Sequence, residues 1–224
     1  MDFENERKHL LRSSFRGDPT EDQFTVQEME MNSTPDTIEQ QARRAADVVL
    51  RGGVIVYPTD TIWGIGCDAT NPQAVERVFA LKKRAESKSL IVLVGSEDGL
   101  LRTVRHVPDP AWDILRYSQR PVTIIYDHPV GVASNVLAED GSLGIRVTSD
   151  PFCRRLIELI RRPLVSTSAN ISGEPSPQCF DEISPEILSG ADYTVDYRRN
   201  DRRKAQASSV IKLTDDCRVT ILRK

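Results

Sequence analysis

The strongest constraint on the fold is a series of short apolar runs separated by amphipathic stretches. Val54-Ile55-Val56-Tyr57, Leu90-Ile91-Val92-Leu93-Val94, Val122-Thr123-Ile124-Ile125-Tyr126 and Leu143 to Val147 are rich in β-branched and aromatic side chains. Runs this short read as strands covered on both faces, because a helix needs roughly ten or more residues to bury a stripe. Thr34-Pro35-Asp36 is a helix cap followed by proline at the first helical position, and Ile38, Ala42, Ala45, Val48 and Val49 then recur at helical spacing as far as Gly52-Gly53. Asn71-Pro72 opens another helix that reaches about Lys83. A further one carries Trp112, Leu115 and Arg116, and Asp150-Pro151 caps one through Leu156, Leu159 and Ile160. Leu164-Val165 leads into a loop, and Tyr193 to Val195, Ser209 to Leu213 and Val219 to Leu222 read as closing strands. Helices and strands alternate early while strands cluster late. That order predicts a mixed α/β fold over residues 34–224, with one twisted mixed sheet and flanking helices.

Residues 1–33 lack sustained periodicity and hold eight acids against four bases, so they read as an acidic N-terminal appendage, mobile or partly helical. The net charge of the chain is −3, and removing the appendage leaves the body at +1, which permits local basic patches. No apolar run approaches the roughly 20 residues of a spanning helix. The acidic start resembles neither a secretory signal nor a transit peptide, and the expected location is the cytoplasm. Cys67, Cys153, Cys179 and Cys217 form no CxxC pair, and His9, His106 and His128 form no HExxH. The expectation is four reduced thiols and no structural zinc.

Gly64-Ile65-Gly66-Cys67-Asp68-Ala69 matches the letters of a dinucleotide-binding turn, yet the next helix begins at Pro72, beyond the glycines, so the pyrophosphate would meet no helix N-terminus. No GxxxxGK[ST] exists. Three other segments carry more. Pro58-Thr59-Asp60-Thr61-Ile62-Trp63 places hydroxyls and an acid directly after a strand, where they either satisfy their own turn or bind a polar ligand. Lys82-Lys83-Arg84-Ala85-Glu86-Ser87-Lys88 is either a solvated helix end or a phosphate clamp. Ser166-Thr167-Ser168-Ala169-Asn170-Ile171-Ser172 packs neutral donors and acceptors beside Gly173, with no histidine near in sequence to activate a serine. Arg146 is a lone base on an apolar strand. It serves a structural ion pair, or an anion site if its strand faces a cleft.

Taken in order, PTDTIWG, the KxR of Lys82 and Arg84, the GIRV around Arg146, STSANISG and the Ser208-Ser209-Val210-Ile211 strand resemble the YrdC-like family of threonylcarbamoyl-adenylate synthases. The resemblance covers essentially all of residues 34–224. It implies a fold around a basic cavity and an enzyme that makes L-threonylcarbamoyladenylate and pyrophosphate from L-threonine, bicarbonate and ATP with Mg2+. That product feeds a downstream complex that modifies the tRNA adenosine beside the anticodon. The resemblance further implies catalytic roles for Lys82, Arg84 and Arg146. ATP would meet Arg84, Lys88, Ser142, Ser168, Asn170, Ser176 and Arg223, and threonine would meet Thr61, Arg146, Ser166 and Ser208. Trp63 stands where the family usually has tyrosine, Leu93 where some members have histidine, and Thr148 and Asp150 where proline and histidine are usual. The competing reading is a double-stranded RNA or tRNA-binding factor without chemistry of its own, which a basic concave surface would also serve.

Overall fold

A computed structural model describes residues 37–84, 90–202 and 206–224. The acidic appendage, the Thr34-Pro35 cap and Lys88 lie outside the described residues. Helix α1 (Ile38–Leu50) is capped by Thr37, not Thr34. The Thr37 hydroxyl accepts from the Gln40 backbone at 3.3 Å while the Gln40 side chain accepts from the Thr37 backbone at 2.8 Å, a reciprocal capping box.

The chain continues through β1 (Ile55–Tyr57), β2 (Gly64–Gly66), α2 (Pro72–Leu81), β3 (Ile91–Val94), α3 (Glu97–Thr103) and α4 (Asp109–Tyr117). Next come β4 (Val122–Tyr126), β5 (Leu143–Val147), α5 (Pro151–Ile160), β6 (Leu164–Ser168) and α6 (Pro185–Gly190). Strands β7 (Tyr193–Thr194), β8 (Ser209–Leu213) and β9 (Val219–Arg223) complete the order. The described strands form one mixed sheet in the order β7-β1-β2-β6-β3-β5-β4-β8-β9. The β1–β7, β3–β5 and β4–β8 pairs are parallel and the others antiparallel. The mixed α/β expectation holds.

Strand periodicity divides the core. Ile55, Tyr57 and Leu93 join α1 and α5 on one face, whereas Val54, Val56, Val92 and Val94 join Val75, Val78 and Phe79 of α2 on the other. Asn71 caps α2 by accepting from Gln73 and Ala74, and Asp150 caps α5 by accepting from Cys153, caps worth about 1 kcal/mol each.

One further expectation needs correction. Leu164-Val165 does not lead into a loop: the ladder continues through Ser168, pairing Thr167 with Ile65 and Ser168 with Gly64. The glycines of the G-x-G segment are themselves a strand. A Cβ on Gly66 would collide with the Val165 carbonyl and lie 2.7 Å from the Tyr57 ring, so glycine there admits β6 and the ring, not a pyrophosphate. All four cysteines are free thiols. No helix among the described residues is long and apolar enough to cross a membrane.

Candidate active site

Strand β1 delivers Thr59, Asp60 and Thr61 to the rim of the sheet. The Thr59 hydroxyl donates to the Ile62 carbonyl at 2.8 Å and accepts from the Thr61 backbone at 2.9 Å. With that proton committed, the Thr61 hydroxyl donates to Thr59 Oγ1 at 2.9 Å and accepts from Arg146 Nη1 at 3.0 Å. The turn satisfies itself, and by doing so it fixes the direction of Thr61. The reading of a turn that satisfies itself holds.

Arg146 is only 3 % exposed. Its Nη2 lies 3.2 Å from Asp60 Oδ1, and the other Asp60 oxygen accepts from the Thr148 hydroxyl at 3.1 Å and the Ser149 backbone at 3.4 Å. A guanidinium carries five donors, and Arg146 Nε has no hydrogen-bond partner among the described residues. A buried cation with donor capacity to spare is suited to an anionic ligand. The lone strand arginine is thus an ion-paired residue and a cavity residue at once.

Thr61, Arg84 and Arg146 line a cleft of about 220 Å3. Ser166 and Ser168 reach it from β6, and Ser176 from the following loop. Ser208 and Arg223 close the far side, where Arg223 Nε donates to the Ser208 carbonyl at 3.0 Å and the Ser208 hydroxyl pairs with Thr123 at 2.8 Å. Six segments separated in sequence therefore converge. Arg84 is half-buried, and that burial lowers its pKa from the ordinary value, although an arginine stays charged.

Three of the residues assigned from the resemblance are turned toward the protein. Lys82 is 1 % exposed, and its ammonium donates to the Ser168 carbonyl and, at 2.6 Å, to the Asn170 carbonyl. Burial, with Arg84 nearby, pushes its pKa down to about 8. It anchors the serine-rich segment from beneath instead of lining the cleft. The Asn170 amide nitrogen donates to the carbonyls of Ile171 and Glu174 at 3.0 and 2.7 Å, closing its own turn, while its Oδ1 has no partner among the described residues. The Ser142 hydroxyl donates to Asp140 at 2.5 Å, and Ser142 is not among the cleft's lining residues. Asp60 was left without a role by sequence reasoning. The signal available was the buried-strand arginine, which needs a carboxylate partner.

A second cleft of about 270 Å3 adjoins the first, sharing Thr61, Ile62 and Trp63 and adding Thr59, Gln178 and Arg198. A larger cavity, about 720 Å3, lies elsewhere, between the end of β3 and α5, and contains none of the residues assigned from the sequence.

A mixed sheet whose rim presents a buried arginine, a half-buried arginine and a row of hydroxyls defines a strand-end cleft chemically suited to a small anionic ligand. The family model described as Telomere recombination, that of the Sua5, YciO and YrdC proteins, matches residues 32–224, and the chain belongs to this family. A threonylcarbamoyl-AMP synthase of Pseudomonas aeruginosa is 38 % identical over 159 residues, 67 % of this chain and 85 % of that protein. One from Xanthomonas euvesicatoria is 35 % identical over 157 residues, 68 % of this chain and 83 % of that protein. Among solved structures, P. abyssi Sua5 complexed with L-threonine superposes with a TM-score of 0.73 at 26 % identity. That superposition covers 83 % of this chain, which spans about half (54 %) of the P. abyssi protein.

Proposed function

We propose that this protein is a threonylcarbamoyl-AMP synthase, joining L-threonine, bicarbonate and ATP into threonylcarbamoyladenylate with release of pyrophosphate. The observation that carries this reading is the buried Arg146, held by Asp60 and aimed with the Thr61 hydroxyl into the serine-edged cleft. The homologues named for this activity and the threonine complex of a structural neighbour support it.

Threonine's amine gains a carboxylate from bicarbonate, with loss of water, and a carbamate oxygen then attacks the α-phosphorus of ATP. One P–O bond forms, the α–β anhydride breaks, and pyrophosphate leaves. Such a transfer asks the protein for positioning and charge neutralisation more than for covalent chemistry. Thr61 and Arg146 hold the amino-acid end, with Ser166 and Ser208. Arg84 and Arg223 offset phosphate charge, with Ser168 and Ser176 along the nucleotide. Trp63, 5 % exposed and packed on Phe180 at 5.0 Å between ring centroids, walls off water from a product open to hydrolysis. Among the described residues no cluster of three His, Cys, Asp or Glu could hold a metal, and the cleft's nearby carboxylate, Asp60, is engaged by Arg146. The donor set among the described residues therefore does not form a magnesium cage.

The test is pyrophosphate release from ATP, with threonine and bicarbonate each supplied or omitted. Release is expected only with both. Equal release without an amino acid would remove the assignment. Tight, steeply salt-dependent RNA binding by a chain that releases no pyrophosphate would favour the RNA-binding reading.

A further inference from the structure

The Thr59–Thr61 turn is held from below by Arg146 and from the side by a residue nearly forty positions beyond α5. Arg198 Nη1 pairs with Asp150 Oδ2 at 2.9 Å, and Nη2 donates to the Thr59 carbonyl at 2.6 Å. One planar fork thus bridges the cap of α5 and the threonine turn. Asp150 is 3 % exposed, and its other oxygen accepts from the Cys153 backbone at 2.9 Å. The Cys153 thiol in turn lies 3.4 Å from the Pro58 carbonyl. The backbone of Arg198 adopts the left-handed region, φ 58°, uncommon for a side chain of this size. Its guanidinium sits 5.5 Å from the centroid of the Tyr197 ring, which stacks on Phe152 of α5.

These contacts share one consequence. A charge buried at Asp150 requires a cation, and the cation that supplies it also fixes the carbonyl two residues before Thr61. Arg198 also borders the 270 Å3 cleft beside Thr59, Asp60 and Thr61.

We infer that Arg198 is a positioning residue for the amino-acid end of the site: by clamping the Thr59 carbonyl to Asp150 it sets the Thr61 hydroxyl, and with it the affinity for threonine. The inference rests on the proposed synthase activity. A misplacement of about 1 Å in a positioned group costs on the order of 100-fold, which sets the scale of the expected effect.

The experiment compares the full-length protein with Arg198→Ala, Arg198→Lys and the double variant Asp150→Asn/Arg198→Ala, reading thermal stability and steady-state pyrophosphate release. Arg198→Ala should raise KM for threonine roughly 10- to 100-fold while KM for ATP stays within about twofold. Arg198→Lys keeps the charge without the fork, and should restore stability more fully than threonine KM. Asn at position 150 still caps α5 and removes the buried charge, so the double variant should regain folding stability if Arg198→Ala alone unfolds. Its threonine KM should remain raised. A threonine KM that returns to the wild-type value with stability would overturn the inference, as would equal shifts in both KM values or none. If wild-type turnover is itself independent of threonine, the synthase reading fails first, and that result is distinguishable from these.

Discussion

Arg146 and Asp60 form an ion pair at 3.2 Å in which the two side chains are 3 % and 10 % exposed. Breaking a pair this deeply buried strands the remaining charge, which ordinarily costs about 3–5 kcal/mol. Asp60→Asn keeps an acceptor and the shape of the side chain, so the loss should fall near the low end, about 3 kcal/mol. Urea denaturation at neutral pH measures it directly. A variant as stable as the wild type would mean that the pair contributes no net stability.

The basic segment after α2 separates a surface residue from a cleft residue one position apart. Lys83 reaches Glu186 at 2.8 Å, with both side chains more than half exposed, whereas Arg84 lines the cleft. Arg84→Ala should lose about 2–5 kcal/mol of transition-state stabilisation, read from kcat/KM for ATP. Lys83→Ala should leave turnover within about twofold, since exposed pairs contribute little. Similar losses in both variants would identify a diffuse basic patch.

Lys82 makes a prediction about pH. The unfolded chain holds its proton up to 10.5, while the folded chain releases it at about 8. Folding therefore releases a proton in that window, and stability rises with pH there. Relative to Lys82→Met, the wild type should gain on the order of 2 kcal/mol between pH 8 and about 9.5, and nothing below that range. Paired denaturation curves for the two proteins test this. Parallel curves at every pH would show that Lys82 titrates as an ordinary exposed lysine. Because a neutral amine still has two protons to donate, the bonds to Ser168 and Asn170 can survive the titration.

A chain beginning at Ser33 should keep its thermal stability and its pyrophosphate release. The family match begins at residue 32, and the earliest residue of the cleft is Thr61. A large fall in melting temperature on truncation would show that residues 1–33 contribute to the stability of the body. Tighter tRNA binding by the shortened chain, strongest at low salt, would reveal an autoinhibitory segment.

Residue chemistry was more legible than residue direction. Val122–Tyr126 and Leu143–Val147 are strands with the expected limits, the first because its β-branched run leaves no competing period. Gly64–Gly66 was hidden because glycine is a poor strand former, and the reason for it here is a contact with Val165 that only the folded sheet creates. Ser166–Ser168 carried turn-like composition inside a ladder set by its neighbours. Glu97–Thr103 is too short, and interrupted by Gly99, to show a helical stripe. In the site, the motifs named segments that come together around one cleft. They could not show that Lys82, Asn170 and Ser142 satisfy other parts of the protein, since that depends on which side of a segment faces the cleft. Nor does any local pattern join Arg198 to Asp150, a pairing 48 positions apart.

Thr61, Ile62 and Trp63 border both clefts. The stretch is pinned at one end by Arg146 and at the other by Ala169, whose backbone donates to the Trp63 carbonyl at 3.0 Å. Two chambers divided by one thin, tethered partition cannot be remodelled separately. A smaller side chain at Ile62 would widen the room in both clefts, so a change made for one is made for the other. Any lineage or designer seeking to reshape one cleft alone must work from the walls they do not share.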